Sequence, residues 1–404
     1  MTAAPENNQK SIFLVPFLTA MVALGPISTD LYLPSLPSIG TALGASVSAT
    51  QLTLSVFIAG MAIGTLIYGP LSDRFGRRPL ILLGLMVFAA GSVGCAFAPT
   101  IGWLLFWRFV EAVGGSAAPV LARAIVRDLY SRSDAARVMS FMAAAMALAP
   151  AVAPIIGGWV HLTLGWRGHF WILTFLGIVA TGLAWRLVAE TNRQPDAGAT
   201  RPARLARNIG ELFRHRGFNG FMLTTTFSYS GLFSFISGGA FVVITVLGVA
   251  PENFGFLFIF AAFGFVAGGT LGGRITRKFG LMRMIEMGVW IGVAAGIAGL
   301  GLALADIATP VSVIAPVAVV FFSCAFVFPN ATAGAIGPFP HMAGTASSVL
   351  GFVQMGTGAA TGFLVGAAFN NTTVPLFAII TGAMILSLAT FYTVAKPAER
   401  TMHV

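Results

Sequence analysis

The sequence predicts an all-α membrane protein whose twelve transmembrane helices form two pseudo-symmetric six-helix bundles. The chain of 404 residues is 57% hydrophobic and only 9% charged, whereas an ordinary soluble domain carries about 25% charged residues. Apolar runs of about 20 residues, the length that crosses a bilayer, recur along the whole chain. The basic residues between these runs fall almost entirely on one side, which is the third observation behind the prediction.

Each apolar run is best explained as a helix, because backbone polar groups in lipid must be hydrogen-bonded within their own segment. The predicted helices begin near Ile12, Leu52, Leu80, Trp103, Val138, Trp166, Phe218, Phe254, Met282, Val311, Ala343 and Val374. The first run follows a short polar N-terminus and has no obvious small-residue cleavage site, so we expect it to be retained as a helix.

The distribution of Lys and Arg predicts the orientation. If the N-terminus is cytoplasmic, 20 of the 23 basic residues lie on cytoplasmic segments. Arg108 and Arg123 lie inside the fourth helix, and Arg167 lies on an external loop. This placement requires an even number of spans, with both termini cytoplasmic. The net charge of +10 therefore reflects membrane topology, and we expect no nucleic-acid partner.

One long polar stretch divides the chain. Residues 190–217 are basic and contain Pro195 and Pro202, and they predict a cytoplasmic linker. The part from Arg204 to Arg216 is consistent either with a surface helix against anionic lipid or with a solvated loop. We therefore expect an N-terminal six-helix bundle at residues 1–189, the linker, a C-terminal six-helix bundle at 218–395 and a cytoplasmic tail at 396–404.

The turn after the second helix carries a distinctive pattern, Gly69-x-Leu71-x-Asp73-Arg74-x-Gly76-Arg77-Arg78. A similar basic turn, from Gly272 to Gly280, follows the eighth helix, as expected for a duplicated transporter architecture. The first pattern resembles the cytoplasmic loop signature of the major facilitator superfamily, and the resemblance spans the whole chain. It implies the major facilitator fold and a gating loop in which an acid and three bases exchange partners as the halves rock. A purely topogenic basic loop is the alternative, although topology does not require Asp73.

Two further segments resemble one branch of that superfamily. The fifth helix contains Pro150, Pro154, Gly157 and Gly158 and is similar to the antiporter motif of drug:proton antiporters, with alanines at two usual glycines. Ordinary close packing of helices is the alternative for these small residues. The stretch from Asp30 to Pro37 is similar to the bicyclomycin-resistance and chloramphenicol-exporter subfamily.

Three ionisable residues lie at membrane depth, namely Asp30, Arg108 and Glu111. A charge there costs roughly 2.5–3.5 kcal/mol or more, so each is a functional candidate. From a rise of about 1.5 Å per residue, Asp30 and Arg108 lie at similar heights in the outer half of the bilayer. We expect an acid–base cluster in which Asp30 exchanges a proton for substrate and Arg108 tunes it. Glu111 is either a second proton site or the partner that neutralises Arg108, while Asp30 could instead cap the external end of helix 1 and Arg108 could bridge helices structurally.

The resemblance implies proton-coupled antiport of small amphiphilic drugs from cytoplasm to periplasm by alternating access. It also implies a multi-pass protein of the bacterial inner membrane, a monomer driven by the proton gradient without a cofactor. Its partners are then the drug, protons and the lipid bilayer. Export or facilitated passage of a small endogenous metabolite, with drug export incidental, is the alternative. Cavity candidates are Tyr32, Asn330 and Gln354.

An enzyme is not expected, because the sequence has no nucleotide loop, no nucleophile elbow and no paired carboxylates on one helix. Cys95 and Cys324 lie inside apolar stretches and are interpreted as small hydrophobic residues. With no Cys/His cluster at ligand spacing, we expect no metal site.

Overall fold

The computed structural model describes residues 13–192, 196, 202–339 and 342–402. These residues form fifteen α-helices with short 3₁₀ and π segments. The helices are α1 (Leu14–Val22), α2 (Leu24–Asp30), α3 (Leu36–Ala42), α4 (Val47–Phe75), α5 (Arg77–Ala96), α6 (Ile101–Gly115), α7 (Ala117–Leu129), α8 (Arg132–Leu187), α9 (Pro202–Arg214), α10 (Arg216–Ala240), α11 (Pro251–Leu304), α12 (Pro310–Ile336), α13 (Ala343–Ala367), α14 (Val374–Thr390) and α15 (Lys396–Met402).

Ten segments of the described chain are long and apolar enough to cross a membrane. Eight of them have 20 to 31 residues, but Arg137–Leu187 and Pro251–Leu304 have 51 and 54. At about 1.5 Å per residue the longer two would each extend roughly 80 Å, more than twice the thickness of a bilayer core. Both are broken midway by a residue with non-helical backbone angles, Gly165 in α8 and Gly280 in α11.

The contacts around these two glycines show that the chain reverses there. His161 and His169, on either side of Gly165, both contact the Ser35 hydroxyl. Gly268 and Gly288, on either side of Gly280, both approach the same turn of α12 near Ser323 and Ala325. Each long segment is therefore two antiparallel spans, and the total of twelve agrees with the predicted all-α architecture.

Helix starts differ from the predicted ones by only a few residues, because helices begin at caps that lie outside the apolar runs. For example, α4 begins at Val47 after the Ser46 cap, where the hydropathy pattern suggested Leu52. The predicted start at Ile12 lies outside the described residues.

The first span is not one continuous helix. It consists of α1, α2, a 3₁₀ turn at Leu33–Ser35 and α3. Asp30 is the last residue of α2 and is 2% exposed, and α3 continues the span to Ala42. Asp30 thus lies inside the span and does not cap its external end.

Buried apolar side chains form three clusters that reveal how the two halves meet. One cluster joins the halves, since it contains Leu31, Phe57 and Phe170 together with Phe254 and Phe377. A second contains only residues between 14 and 188, and a third only residues between 212 and 395. We call the end that holds the shared cluster the Ser46 end and the opposite one the Gly76 end. The halves are joined at the Ser46 end and have separate cores at the Gly76 end.

The described part of the linker is helical. In α9 the Leu212 side chain is fully buried in the C-terminal core cluster and Ile209 packs beside it. Arg207 and Arg214 are exposed. The segment is therefore a helix and not a loop, it packs on the C-terminal half, and its contact with anionic lipid stays a prediction.

The chain that follows α8 anchors the turn between α4 and α5. The Glu190 carboxylate accepts hydrogen bonds from the backbone N–H groups of Arg77 and Arg78, at 2.9 and 3.1 Å. It therefore caps the N-terminus of α5, where unpaired N–H groups favour an anion. Gly76 has φ +99°, and a Cβ at that position would overlap the Glu190 carboxylate.

We predict that Gly76→Ala destabilises the protein by about 1–3 kcal/mol, because only glycine adopts this backbone conformation without strain. The added methyl group would also displace the Glu190 cap. Thermal unfolding of the purified protein in detergent measures the effect. Gly69→Ala is the matched control, since Gly69 lies inside α4 with open space around its Cβ position. Equal unfolding temperatures for the two variants would contradict the prediction.

Candidate functional site

The buried cation Arg108 lies at the centre of the N-terminal half. Its side chain is 0% exposed. The guanidinium carbon lies 4.1 Å from the centre of the Phe57 ring and 4.4 Å from that of Tyr32. An aromatic face attracts a cation through its quadrupole, most strongly where water is excluded. The two rings therefore replace part of the hydration that Arg108 has lost.

Arg108 forms a closed ion pair with Glu111, three residues further along α6. Its Nη1 donates to Glu111 Oε2 at 2.8 Å, and its Nη2 donates to the Ser28 carbonyl in α2 at 3.2 Å. Glu111 also accepts a hydrogen bond from Ser92 Oγ at 3.0 Å and a longer thiol contact of 3.8 Å from Cys95. The pair is neutral as a whole and ties α6 to α2 and α5.

Asp30 lies apart from this pair. The contact to the Ser28 carbonyl brings Arg108 to the same level of helix 1, as predicted from helical rise. However, Arg108 Nη1 and Nη2 bind Glu111 and Ser28, and Arg108 Nε has no hydrogen-bond partner within the described ranges. The acidic hydrogen-bonding partner of Arg108 is therefore Glu111, and an influence of Arg108 on proton binding at Asp30 stays a prediction.

The C-terminal half supplies the neighbour of Asp30. Tyr229 of α10 interacts electrostatically with Asp30 across the interface between the halves. The Tyr229 ring stacks on Phe233 with centroids 5.8 Å apart and lies 6.2 Å from Phe328, which is 5.9 Å from Phe265. The sequence alone does not single out Tyr229, because its proximity to Asp30 depends on the packing of two distant helices.

The three cavity candidates lie in different environments. Tyr32 is fully buried and its hydroxyl is 3.0 Å from Thr53 Oγ1. Asn330 is buried and donates to the Phe326 carbonyl of its own helix. Gln354 is half-buried on α13, one turn before Gly358, whose Cβ position is filled by the Tyr229 ring. Of the three, Gln354 is the one on the helix face that meets Tyr229.

The loop residues form an ion-pair network at the Gly76 end. Arg77 bonds Asp73 at 2.6 Å and Asp128 of α7 at 3.1 Å. Arg78 donates to the Trp185 carbonyl at 3.0 Å, and the Arg74 guanidinium lies 4.9 Å from the centre of the Phe75 ring.

Residues distant in sequence complete this network. Asn192 Nδ2 donates to the carbonyl of Asp73, and Thr191 Oγ1 donates to Asp128. Asp128, Glu190 and Asn192 were not predicted as partners of the loop. For Glu190, the signal available in the sequence was its position as an acidic residue shortly after the sixth span.

The small residues of the fifth helix lie where backbones approach most closely. A Cβ at Gly157 would overlap the Leu31 carbonyl, and one at Gly158 would lie 2.8 Å from Glu252 Cα. From the other side, a Cβ at Gly255 would lie 2.7 Å from the carbonyl carbon of Pro154. Pro150 and Pro154 lie within α8 before this contact. The motif therefore forms the junction between the fifth and eighth spans at the Ser46 end.

Within the described ranges, no three His, Cys, Asp or Glu side chains lie close enough to share a metal ion. The charged groups of the site are the buried Arg108–Glu111 pair, the separate Asp30 carboxylate and the surface network around Arg77.

Known proteins are similar to this chain in both sequence and architecture. The sequence profile of the Major Facilitator Superfamily matches residues 18–362. The chain is 33% identical to the bicyclomycin resistance protein homolog of Haemophilus influenzae, over 96% of this chain and 97% of that one. It is 32% identical to the chloramphenicol resistance protein of Pseudomonas aeruginosa, over 85% and 82% of the two chains.

A solved structure shares the fold. The crystal structure of a D-xylose–proton symporter superposes with a TM-score of 0.76 at 18% identity, covering 96% of this chain and 99% of that one. Twelve spans, the loop network around Arg77 and the sequence matches all lead to one assignment. The chain belongs to the major facilitator superfamily of membrane transporters, among relatives named for drug resistance.

Proposed function

We propose that the protein exports small amphiphilic compounds from the cytoplasm in exchange for protons, by alternating access. The observation that carries this proposal is the position of Asp30, a buried carboxylate within electrostatic range of Tyr229, a residue of the opposite half. A carboxylate in this position can bind either a proton or the polar part of a substrate, and the two compete for it. The names of the relatives support drugs as the substrate class.

The distribution of charge supports the direction of transport. Arg77, Arg78 and Arg127 lie at the Gly76 end, which the positive-inside rule assigns to the cytoplasm. Both termini are then cytoplasmic, and the halves, which have separate cores at that end, face the cytoplasm. A compound entering from the cytoplasm reaches the Asp30 level before it meets the joined Ser46 end.

The positions of Asp30 and of the joined Ser46 end allow an exchange of substrate for a proton. A substrate that binds beside Asp30 and Tyr229 displaces the proton from Asp30, and the halves then part at the Ser46 end. Protonation of Asp30 from the more acidic periplasm releases the substrate. With its charge neutralised, the empty site can return through the apolar interface, because burial of a neutral carboxyl costs less than burial of a carboxylate.

The Arg108–Glu111 pair has a separate task in this proposal. Glu111 neutralises a cation that cannot be hydrated, and the pair holds α6 against α2 just before Asp30. We therefore favour the partner role for Glu111 over a second proton site, because its carboxylate already accepts from Arg108, Ser92 and Cys95.

The chemistry of the interface supports the substrate class. Tyr229, Phe233, Phe265 and Phe328 form a chain of aromatic rings beside one carboxylate and the Gln354 amide. Apolar walls with few polar groups suit lipophilic ligands of varied shape. We place the protein in the bacterial inner membrane as a monomer that needs no cofactor beyond the proton gradient.

We predict that Asp30→Asn abolishes proton movement coupled to substrate, because an amide does not ionise near neutral pH and so neither binds nor releases a net proton. The measurement is proton flux in proteoliposomes under an imposed pH gradient after addition of ethidium or chloramphenicol. Asp306→Asn is the matched control, since Asp306 is an exposed acid in the connection between α11 and α12. Substrate-induced proton flux through Asp30→Asn at the parental rate would refute the role of Asp30.

We predict that Arg108→Ala abolishes export and lowers stability by about 3–5 kcal/mol, the usual cost of leaving one partner of a buried ion pair alone. The double variant Arg108→Ala/Glu111→Gln should recover part of that stability, because its buried amide is neutral. Glu111→Gln alone should retain proton-coupled export. Thermal unfolding in detergent and transport in proteoliposomes measure the two effects separately.

Two outcomes would overturn this assignment. Near-normal export by folded Arg108→Ala would remove Arg108 from the mechanism. Loss of proton coupling, with retained substrate binding, in Glu111→Gln would give Glu111 the proton-site role instead.

We predict that Asp73→Asn slows turnover more than it weakens substrate binding. The change removes one of the two carboxylates that hold Arg77, far from Asp30. Initial rates and equilibrium binding of ethidium measure the two quantities. Asp134→Asn, an exposed acid at the same end whose side chain bonds Ser131, is the control. If affinity falls and rate does not, the loop has no gating role.

A further inference from the structure

Three polar side chains meet inside the apolar wall near the Ser46 end. Ser35 Oγ lies 2.8 Å from His161 Nδ1 and 2.6 Å from His169 Nε2. Ser35 and His169 are fully buried, and His161 is half-buried. The histidines come from the two sides of the Gly165 reversal, and Ser35 comes from the 3₁₀ turn of the first span.

The geometry fixes how protons are shared among the three groups. A serine hydroxyl has one proton to donate and can also accept. Placed between two ring nitrogens, it donates to one and accepts an N–H from the other. The hydrogen-bonded chain thus exists in two arrangements, with the shared N–H on His161 or on His169.

One ring atom of the cluster is left unsatisfied. His169 Nδ1 is buried and has no hydrogen-bond partner among the described residues. An unpaired buried polar atom costs about 1–3 kcal/mol. The arrangement is therefore less stable than one in which His169 Nδ1 is hydrogen-bonded.

Few charged groups face the pair. Glu252, in the first turn of α11, interacts electrostatically with His161 from the opposite half, and the two histidines face each other. The Arg108 guanidinium lies beyond the Phe170 ring, 5.8 Å from its centre, and Arg167 is directed to the Ala98 carbonyl. The charge on His161 is therefore linked to the contact between the halves through Glu252.

We propose that Ser35, His161 and His169 form a proton relay at the Ser46 end, a second proton-binding site separate from Asp30. When the halves part, His161 becomes hydrated and takes up a proton from solution on its other ring nitrogen, Nε2. Its Nδ1 proton then passes to Ser35 Oγ as the Ser35 hydroxyl proton passes to His169 Nε2. One N–H and one O–H bond break, one O–H and one N–H bond form, and one positive charge moves from His161 to His169.

The relay lies where it could supply protons to Asp30. Ser35 lies five residues beyond Asp30 in the first span, or roughly 8 Å closer to the Ser46 end at helical rise. The relay is thus between Asp30 and the solution that supplies protons in the proposed antiport. Its role in transport rests on the proposed function, whereas proton sharing between the rings does not.

The first test uses nitrogen-15 histidine NMR of the full-length protein in detergent. The chain has five histidines, so His161→Gln and His169→Gln assign the two signals. Coupled sites titrate in shared steps, and we expect both rings of the parent protein to respond at each of two steps. Ser35→Ala should make each ring titrate in a single step of its own. Ser38→Ala is the control, because Ser38 Oγ donates to the Ser35 carbonyl at 2.8 Å and contacts neither ring.

Independent, single-step titration of the two rings in the parent protein would overturn the relay without any need of a variant. So would unchanged two-step titration in folded Ser35→Ala.

A second test measures transport of ethidium in proteoliposomes. We expect Ser35→Ala to slow export driven by a pH gradient more than it slows ethidium exchange without a gradient, with Ser38→Ala unaffected. Equal slowing of both would overturn the role of the relay in proton supply. If the parent protein moves ethidium without protons, the antiport proposal fails while the NMR result still decides whether the rings share a proton.

Discussion

A cation that cannot be hydrated constrains the whole N-terminal half. Arg108 has no exposed surface, and in hydrocarbon its charge must be met by other groups at close range. Glu111 supplies the opposite charge, Phe57 and Tyr32 supply aromatic faces, and the Ser28 carbonyl accepts one remaining N–H. These partners lie on α2, α4 and α6 and on the connection after α2. Satisfying one guanidinium therefore sets the relative positions of these elements, and Asp30 is held in place as part of the same assembly.

The interface between the halves at the Ser46 end combines the shared apolar cluster with close contacts at glycines. At the Ser46 end, Gly362 and Gly366 of α13 lie against Ser55 and Gln51 of α4. Small residues allow the two helix backbones to approach closely. Both polar atoms of the Gln51 amide are buried without a hydrogen-bond partner among the described residues. Each such atom costs about 1–3 kcal/mol, so the closed state is weakened by groups that water would satisfy after opening.

The sequence predicts this fold well because the bilayer imposes a simple rule on each span. Hydropathy and the positive-inside rule need only local information, and the breaks at Gly165 and Gly280 agree with the predicted helix starts at Trp166 and Met282. The site is harder to predict because its contacts join residues distant in the chain. Helical rise placed Asp30 and Arg108 at one level, but Glu111, three residues from Arg108, is the closer partner.

Other contacts could not be predicted from the sequence around each residue. Glu190 is 114 residues from Gly76, and Tyr229 lies in the opposite half from Asp30. The Ser35–His161–His169 cluster joins residues on both sides of the Gly165 reversal to the first span, and the positions of the spans alone do not predict that contact. In each case the residue type was visible in the sequence, and its partner was set by tertiary packing.

In the proposed antiport, the energy that protons supply limits how stable the closed state can be. One charge crossing a potential of 100 mV provides about 2.3 kcal/mol, and a difference of one pH unit adds about 1.4 kcal/mol. Moving a two-state equilibrium from 1:99 to 99:1 requires about 5.5 kcal/mol. A transporter driven by one or two protons therefore needs two conformations of nearly equal free energy. The two unsatisfied atoms of the Gln51 amide destabilise the closed state at the joined end, whereas the Arg108–Glu111 pair lies inside one half.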